Sequence, residues 1–297
     1  GKTQLHGMLW EPEGVAVRAV LQICHGVAEH IARYDGFARA LNEQGIVVAG
    51  HDHLGHGKSL PEGGTPVYFG QGSTWNTVVD DIYILHQRLK QRYPDAPLCI
   101  MGHSMGSFLT RTYLIRYPGT VKAAVIMGTG WQPRAAITGG LALANAIAAV
   151  SGENATSELV TELAFGSYNK KYDHVRTNLD WLTRDEAIVD QYIADPLCGA
   201  MATAGMFHDM MGGLQYIWKT ENLNKMNKAT PVYFMAGDGD PVGNYGEGVK
   251  KVYNRFLKVG CKDVKLKLYK DGRHEMLNEL NKDEVYADIL DWLNSKI

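Results

Sequence analysis

An excess of charge of either sign is missing from this sequence. It carries 30 basic and 32 acidic side chains, a net charge of −2, and this balance gives no nucleic-acid footprint. CxxC spacing is missing too: the four cysteines, Cys24, Cys99, Cys198 and Cys261, are scattered and read as reduced thiols. The opening GKTQLHGMLW lacks the apolar core of a signal peptide, and Gly1 reads as a replacement for an initiator methionine, so the default expectation is a cytoplasmic protein. Long hydrophobic runs are also absent. The most apolar segment, ITGGLALANAIAAV at 137–150, is shorter than the roughly 20 residues of a membrane span and is interrupted by Asn145, so no transmembrane helix is expected. Solenoid-period repeats and low-complexity tracts are lacking as well.

What the chain does have is alternation. Strand-like runs fall at 17–24, 45–49, 98–101, 123–127, 232–235 and 264–269, with helix-like runs at 34–44, 75–93, 104–117, 246–259 and 283–296. Strands alternating with helices predict an α/β fold, a mainly parallel sheet with helices on both faces. The alternation fails once. From 131 to 224 the pattern is helical with no convincing strand, which predicts a helical insertion into a core formed by 1–130 and 225–297.

Within this frame one corner draws the chemistry. In LCIMGHSMGSFLTRTYLIRYPG, Ser104 stands between a buried strand and a helix, and Gly102 and Gly106 remove the bulk that would keep the two apart. A serine hydroxyl is a weak nucleophile unless a base takes its proton and an acid holds that base in the right tautomer. In a parallel sheet the partners gather at the carboxyl ends of other strands. PVYFMAGDGDPVGN runs from a strand into a turn with Asp238 and Asp240, and VKLKLYKDGRHEML ends its loop in His274. The order Ser104, Asp240, His274 is that of serine hydrolases built on α/β sheets, with Asp238 as the rival acid. Backbone donors for an oxyanion are expected at Met105, after the serine, and at Val27, after His25 and Gly26 at the end of an early strand.

These motifs resemble the α/β-hydrolases of the monoacylglycerol lipase, lysophospholipase and serine aminopeptidase group. The matching stretches are HGVAEHIARY, HDHLGHGKS, GHSMG, GDGDPVG and GRHEMLNE, and the likeness spans nearly all the chain except the interior of the insertion. It implies an α/β-hydrolase fold, an insertion that caps an acyl pocket, an ester or lipid substrate, and neither metal nor organic cofactor. Leu54 stands where the group often has arginine, and Ala28 where it often has glycine.

Other readings of the same residues exist. His51, Asp52, His53 and His56 in HDHLGHG are all possible metal ligands, although a tight loop after a strand also uses such groups to satisfy its backbone. A binding protein that had lost its chemistry is disfavoured because all three triad positions are filled. A peptidase releasing an N-terminal residue would need an acid for the free amine, and Glu153, Glu158 and Glu162 are the candidates in the insertion. In the insertion itself, Leu141, Leu143 and Ile147 are expected to line the acyl pocket, with helix packing as the alternative. FHDMMGGLQYIW adds methionines and aromatics suited to a flexible chain, and DWLTRDEAIVDQYIADP at 180–196 has amphipathic helical spacing.

Overall fold

A computed structural model describes residues 3–72 and 74–297; Gly1 lies outside the described residues. In chain order the elements are β1 Gly7–Trp10, β2 Ala19–Cys24, α1 Asp35–Asn42, β3 Ile46–His51, α2 Trp75–Arg92, β4 Leu98–His103, α3 Met105–Arg116 and β5 Ala124–Met127. Then come α4 Arg134–Ser151, α5 Glu158–Phe165, α6 Glu186–Ala194, α7 Ala204–Trp218, α8 Thr220–Leu223, β6 Val232–Gly237, α9 Glu247–Lys258, β7 Val264–Tyr269 and α10 Lys282–Asn294.

The seven strands form one sheet in the order β1-β3-β2-β4-β5-β6-β7, parallel throughout except for β1, which runs antiparallel to β3 at the edge. The central strands β2 to β6 are buried along their whole length. Strand alternation therefore feeds two cores. In β4, Ile100 joins Val79 and Ile82 of α2 and Leu109 of α3, while Cys99 and Met101 face Phe37 and Leu41 of α1 and Ile289 and Trp292 of α10. With both faces covered the molecule is a doubly wound α/β fold, as expected, and every parallel strand delivers its carboxyl end to the same side.

Between β5 and β6 the chain leaves the sheet through α4 to α8. At 18 residues, α4 starts at Arg134, ahead of the apolar run, and by length and composition is long enough to cross a bilayer. Here it lies along α7, burying Ile137 and Ala144. The amphipathic stretch at 180–196 is helical only from Glu186. Asp185 caps that helix by accepting from the amides of Ala187 and Ile188, and the residues before it turn to face the sheet.

Candidate active site

Ser104 sits between the end of β4 and the first residue of α3, with φ 55° and ψ −122°. This is a costly conformation for a residue with a Cβ, and the surroundings must hold it. They do so with Ser104 N–H donating to the carbonyl of Met127 at 3.1 Å and the Ser104 carbonyl accepting from Ser107 N–H at 2.9 Å. Glycine is demanded on either side. A Cβ on Gly106 would strike the carbonyls of Cys24 and His25, and one on Gly102 would strike the carbonyl of Gly106. Helix α3 thus enters close against β2, with its first amides beside the serine.

The two distant partners arrive as the strand ends predict. His274 Nδ1 lies 3.0 Å from Asp240 Oδ2 and 3.1 Å from Oδ1, and Oδ1 also accepts the amide of Val242 at 2.9 Å. Both residues are buried. With Nδ1 held by the carboxylate, Nε2 is left without a protein partner among the described residues. His274 and Ser104 line the same cavity of about 400 Å³. Room for the imidazole comes from Gly128, at φ 58°, where a Cβ would come within 3.1 Å of His274 Cε1. The rival, Asp238, is exposed and accepts the amide of Asp271 at 2.7 Å within the turn.

Among the described residues, neither the Val27 nor the Met105 amide donates to a protein acceptor. Both residues line a second cavity, of about 450 Å³, which also reaches Ser104. This arrangement offers what acyl transfer needs: a strained nucleophile position, an oriented imidazole with one free nitrogen, and unspent amides.

The sequence comparisons give the same grouping. The family described as "Serine aminopeptidase, S33" matches residues 15–281. The chain belongs to that family. It is 28% identical to the monoacylglycerol lipase of Mycolicibacterium smegmatis over 292 residues, covering 97% of this chain and 92% of that one. It is 26% identical to the monoglyceride lipase of Mus musculus, covering 97% of this chain and 86% of the relative. The solved carboxyl esterase from Bacillus coagulans, in complex with glycerol, superposes with a TM-score of 0.92 at 29% identity, covering 100% of this chain and 95% of that one.

The expected pocket residues on α4 need correction. Leu143 lines the 450 Å³ cavity, with Ala136, Gly139 and Gly140 of the same helix face, opposite Phe207, Met210, Met211 and Leu214 of α7. Leu141 and Ile147 are not in its lining; they pack against the core. Two residues apart on a helix is about 200° of rotation, so Leu141 and Leu143 cannot face the same space. Ile147 stands one turn beyond the cavity.

In the histidine-rich loop, Asp52 is employed structurally. Asp52 Oδ1 accepts the amide of Ile31 and Oδ2 that of Lys58, each at 2.8 Å, and the amide of His53 donates to His25 Nε2 at 2.9 Å. Burial pushes the pKa of both His25 and His51 down, which favours the neutral form of these rings.

Sequence reasoning missed a buried charged network behind the serine. Glu29 Oε1 accepts the amide of Gly26 at 2.5 Å and lies 3.3 Å from His103 Nδ1, while His103 Nε2 lies 3.2 Å from the carbonyl oxygen of His274. Both ring nitrogens of His103 thus face acceptors. Burial alone would lower its pKa, but the hydrogen bond and charge of Glu29, helped by Glu275, outweigh this and raise it. Arg33 bridges the two acids, donating to Glu29 Oε2 at 2.8 Å and to both oxygens of Glu275 at 2.7 Å. The insertion contributes as well. The carbonyls of Trp181 and Leu182 accept the amides of His274 and Glu275, and the Trp181 ring lies 5.1 Å from the His274 ring. The only sequence signal for Glu29 and Arg33 was their place in HGVAEHIARY.

Proposed function

We propose that this chain is a serine hydrolase that cleaves carboxylic esters through an acyl-enzyme, with a monoacylated lipid as the preferred substrate. The observation that carries the reading is the pairing of His274 Nδ1 with Asp240, which leaves Nε2 free in the cavity that Ser104 also lines. Ser104 Oγ attacks the ester carbonyl as its proton passes to His274 Nε2. Asp240 holds the tautomer and stabilises the imidazolium, and the amides of Val27 and Met105 receive the developing oxyanion. The imidazolium then protonates the departing alkoxide. Water, deprotonated by the same nitrogen, releases the acid and restores Ser104.

The two cavities support a lipid ester. One is walled by Phe108, Leu143, Phe207, Met210, Met211 and Leu214, a flexible apolar lining suited to an acyl chain. The other carries Glu162, Asn169 and Asn178 among its walls and suits a polar alcohol. The segment 131–224, which supplies most of both linings, serves in this reading as the cap. The free thiols support a reducing, cytoplasmic setting.

Glu162 also favours a second reading, since an acid on the wall of the 400 Å³ cavity can meet a free amine, as an N-terminal exopeptidase requires. Rates on monoacylglycerols and aryl esters against aminoacyl anilides decide between them. Ester turnover should exceed amide turnover; faster amide cleavage gives the second reading the function.

A further inference from the structure

Among the described residues, His30, Asp195 and Cys198 form the group whose ligating atoms all lie within 4.8 Å of one another. His30 follows β2 on the loop that carries Val27, whereas Asp195 and Cys198 belong to the turn that ends α6 in the helical insertion. His30 Nε2 lies 2.8 Å from Asp195 Oδ2. The other carboxylate oxygen, Oδ1, is engaged by the amide of Leu197 at 2.9 Å, and the amide of Cys198 donates to the Asp195 carbonyl at 3.0 Å. The turn thus presents Oδ2 and the thiol on the side where the imidazole stands.

We propose that His30, Asp195 and Cys198 bind a divalent ion of the zinc class, which clamps the helical insertion to the loop carrying Val27. One nitrogen, one oxygen and one sulfur are the donors that zinc accepts together and that calcium or magnesium does not. At zinc bond lengths, tetrahedral ligand atoms stand about 3.3–3.6 Å apart, so small side-chain adjustments bring the three atoms to that spacing, with water in the fourth position. The nearby cation, Arg33, is no obstacle, because Glu29 and Glu275 already pair with its guanidinium.

The seam the ion would reinforce already exists. The carbonyl of Ala28 accepts from Tyr192 O–H at 2.7 Å and from Gly199 N–H at 2.9 Å. Ala28 itself is held at φ 54°, where the group's usual glycine would be unstrained. These residues wall the 400 Å³ cavity. An ion at His30, Asp195 and Cys198 would replace the His30–Asp195 hydrogen bond across this seam with metal bonds that also engage Cys198, linking occupancy to how firmly the insertion is held.

The test titrates zinc into the metal-free full-length chain against a chromophoric chelator and follows Tm in parallel. One equivalent should bind and Tm should rise. With cobalt as a probe, a thiolate-to-metal charge-transfer band should appear. Cys198→Ser, a mild change at a half-buried position, should abolish that band and weaken zinc binding by about tenfold or more, as should His30→Gln, whereas His208→Asn on the surface should change neither. No bound equivalent, or zinc affinity and a cobalt band unchanged in Cys198→Ser, overturns the site.

Discussion

Asp238 Oδ1 lies 2.7 Å from the backbone nitrogen of Asp271, so the first acid of GDGD braces the histidine loop from outside while the second, Asp240, reaches the His274 ring. The two aspartates are two residues apart and have separate work. Asp240→Asn keeps the volume but offers an amide to Nδ1, which disturbs the tautomer. It should lower kcat by roughly 10³ to 10⁴ with the fold intact, whereas Asp238→Asn should cost about tenfold or less. Steady-state kinetics with circular dichroism on both variants checks the order; the reverse order would transfer the role to Asp238.

Ser104→Ala should fold normally and keep only the acceleration of the amides and the binding cavities, on the order of 10³ to 10⁴ over water. A serine-directed phosphonate should label the wild type at Ser104 and leave the variant unmodified, as read by peptide mass. Labelling at another residue would displace Ser104 as the nucleophile.

Glu29 is a positioning residue, since it acts through Gly26 and His103. Glu29→Gln should lower kcat by about 10-fold to 100-fold with little change in KM, because the loop presenting the Val27 amide loses its anchor. The pH dependence has a definite sign. Burial opposes ionisation of Glu29, but His103 and Arg33 more than offset it and hold its carboxyl well below the usual range, while His103 is raised. The Glu29 contribution is therefore present above its ordinary pKa and is lost in acid. That of His103 is present below its ordinary pKa and is lost as pH rises through the raised value. The Tm gap between wild type and Glu29→Gln should narrow from about pH 6 to pH 9. A constant gap would mean that His103 is not charged against Glu29.

Leu143→Trp should fill part of the 450 Å³ cavity and shift ester preference toward shorter acyl chains, with turnover of acetyl and butyryl esters preserved. Leu141→Ala should leave the chain-length profile unchanged and lower Tm by about 2–4 °C, as a packing residue does. Equal effects on the profile would return Leu141 to the pocket.

The parallel sheet was legible because five of its strands are short apolar runs punctuated by turns, and β7, although half exposed, alternates. The exception was β1, four residues at the edge with only Trp10 buried, too short and too exposed to stand out from the loop around it. Its pairing with β3 exists only once the sheet is assembled. The helix expected over 180–196 misled for a related reason. Trp181 and Leu182 have helical apolar spacing, yet they are apolar because they pack and bond against the His274 loop.

By itself, the sequence determined the strand ends and therefore the places of Ser104, Asp240 and His274, because each lies in a short loop after an apolar strand and parallel strands gather those loops on one side. The family followed from the same local motifs. Only the tertiary structure decided which side of α4 faces the cavity, that Arg33 meets Glu275 across 242 residues of chain, and that His30 meets Asp195 and Cys198. Periodicity along a chain reports which residues are buried. It carries no record of which distant segment buries them, since that depends on the order in which strands join the sheet and on where the insertion comes to rest.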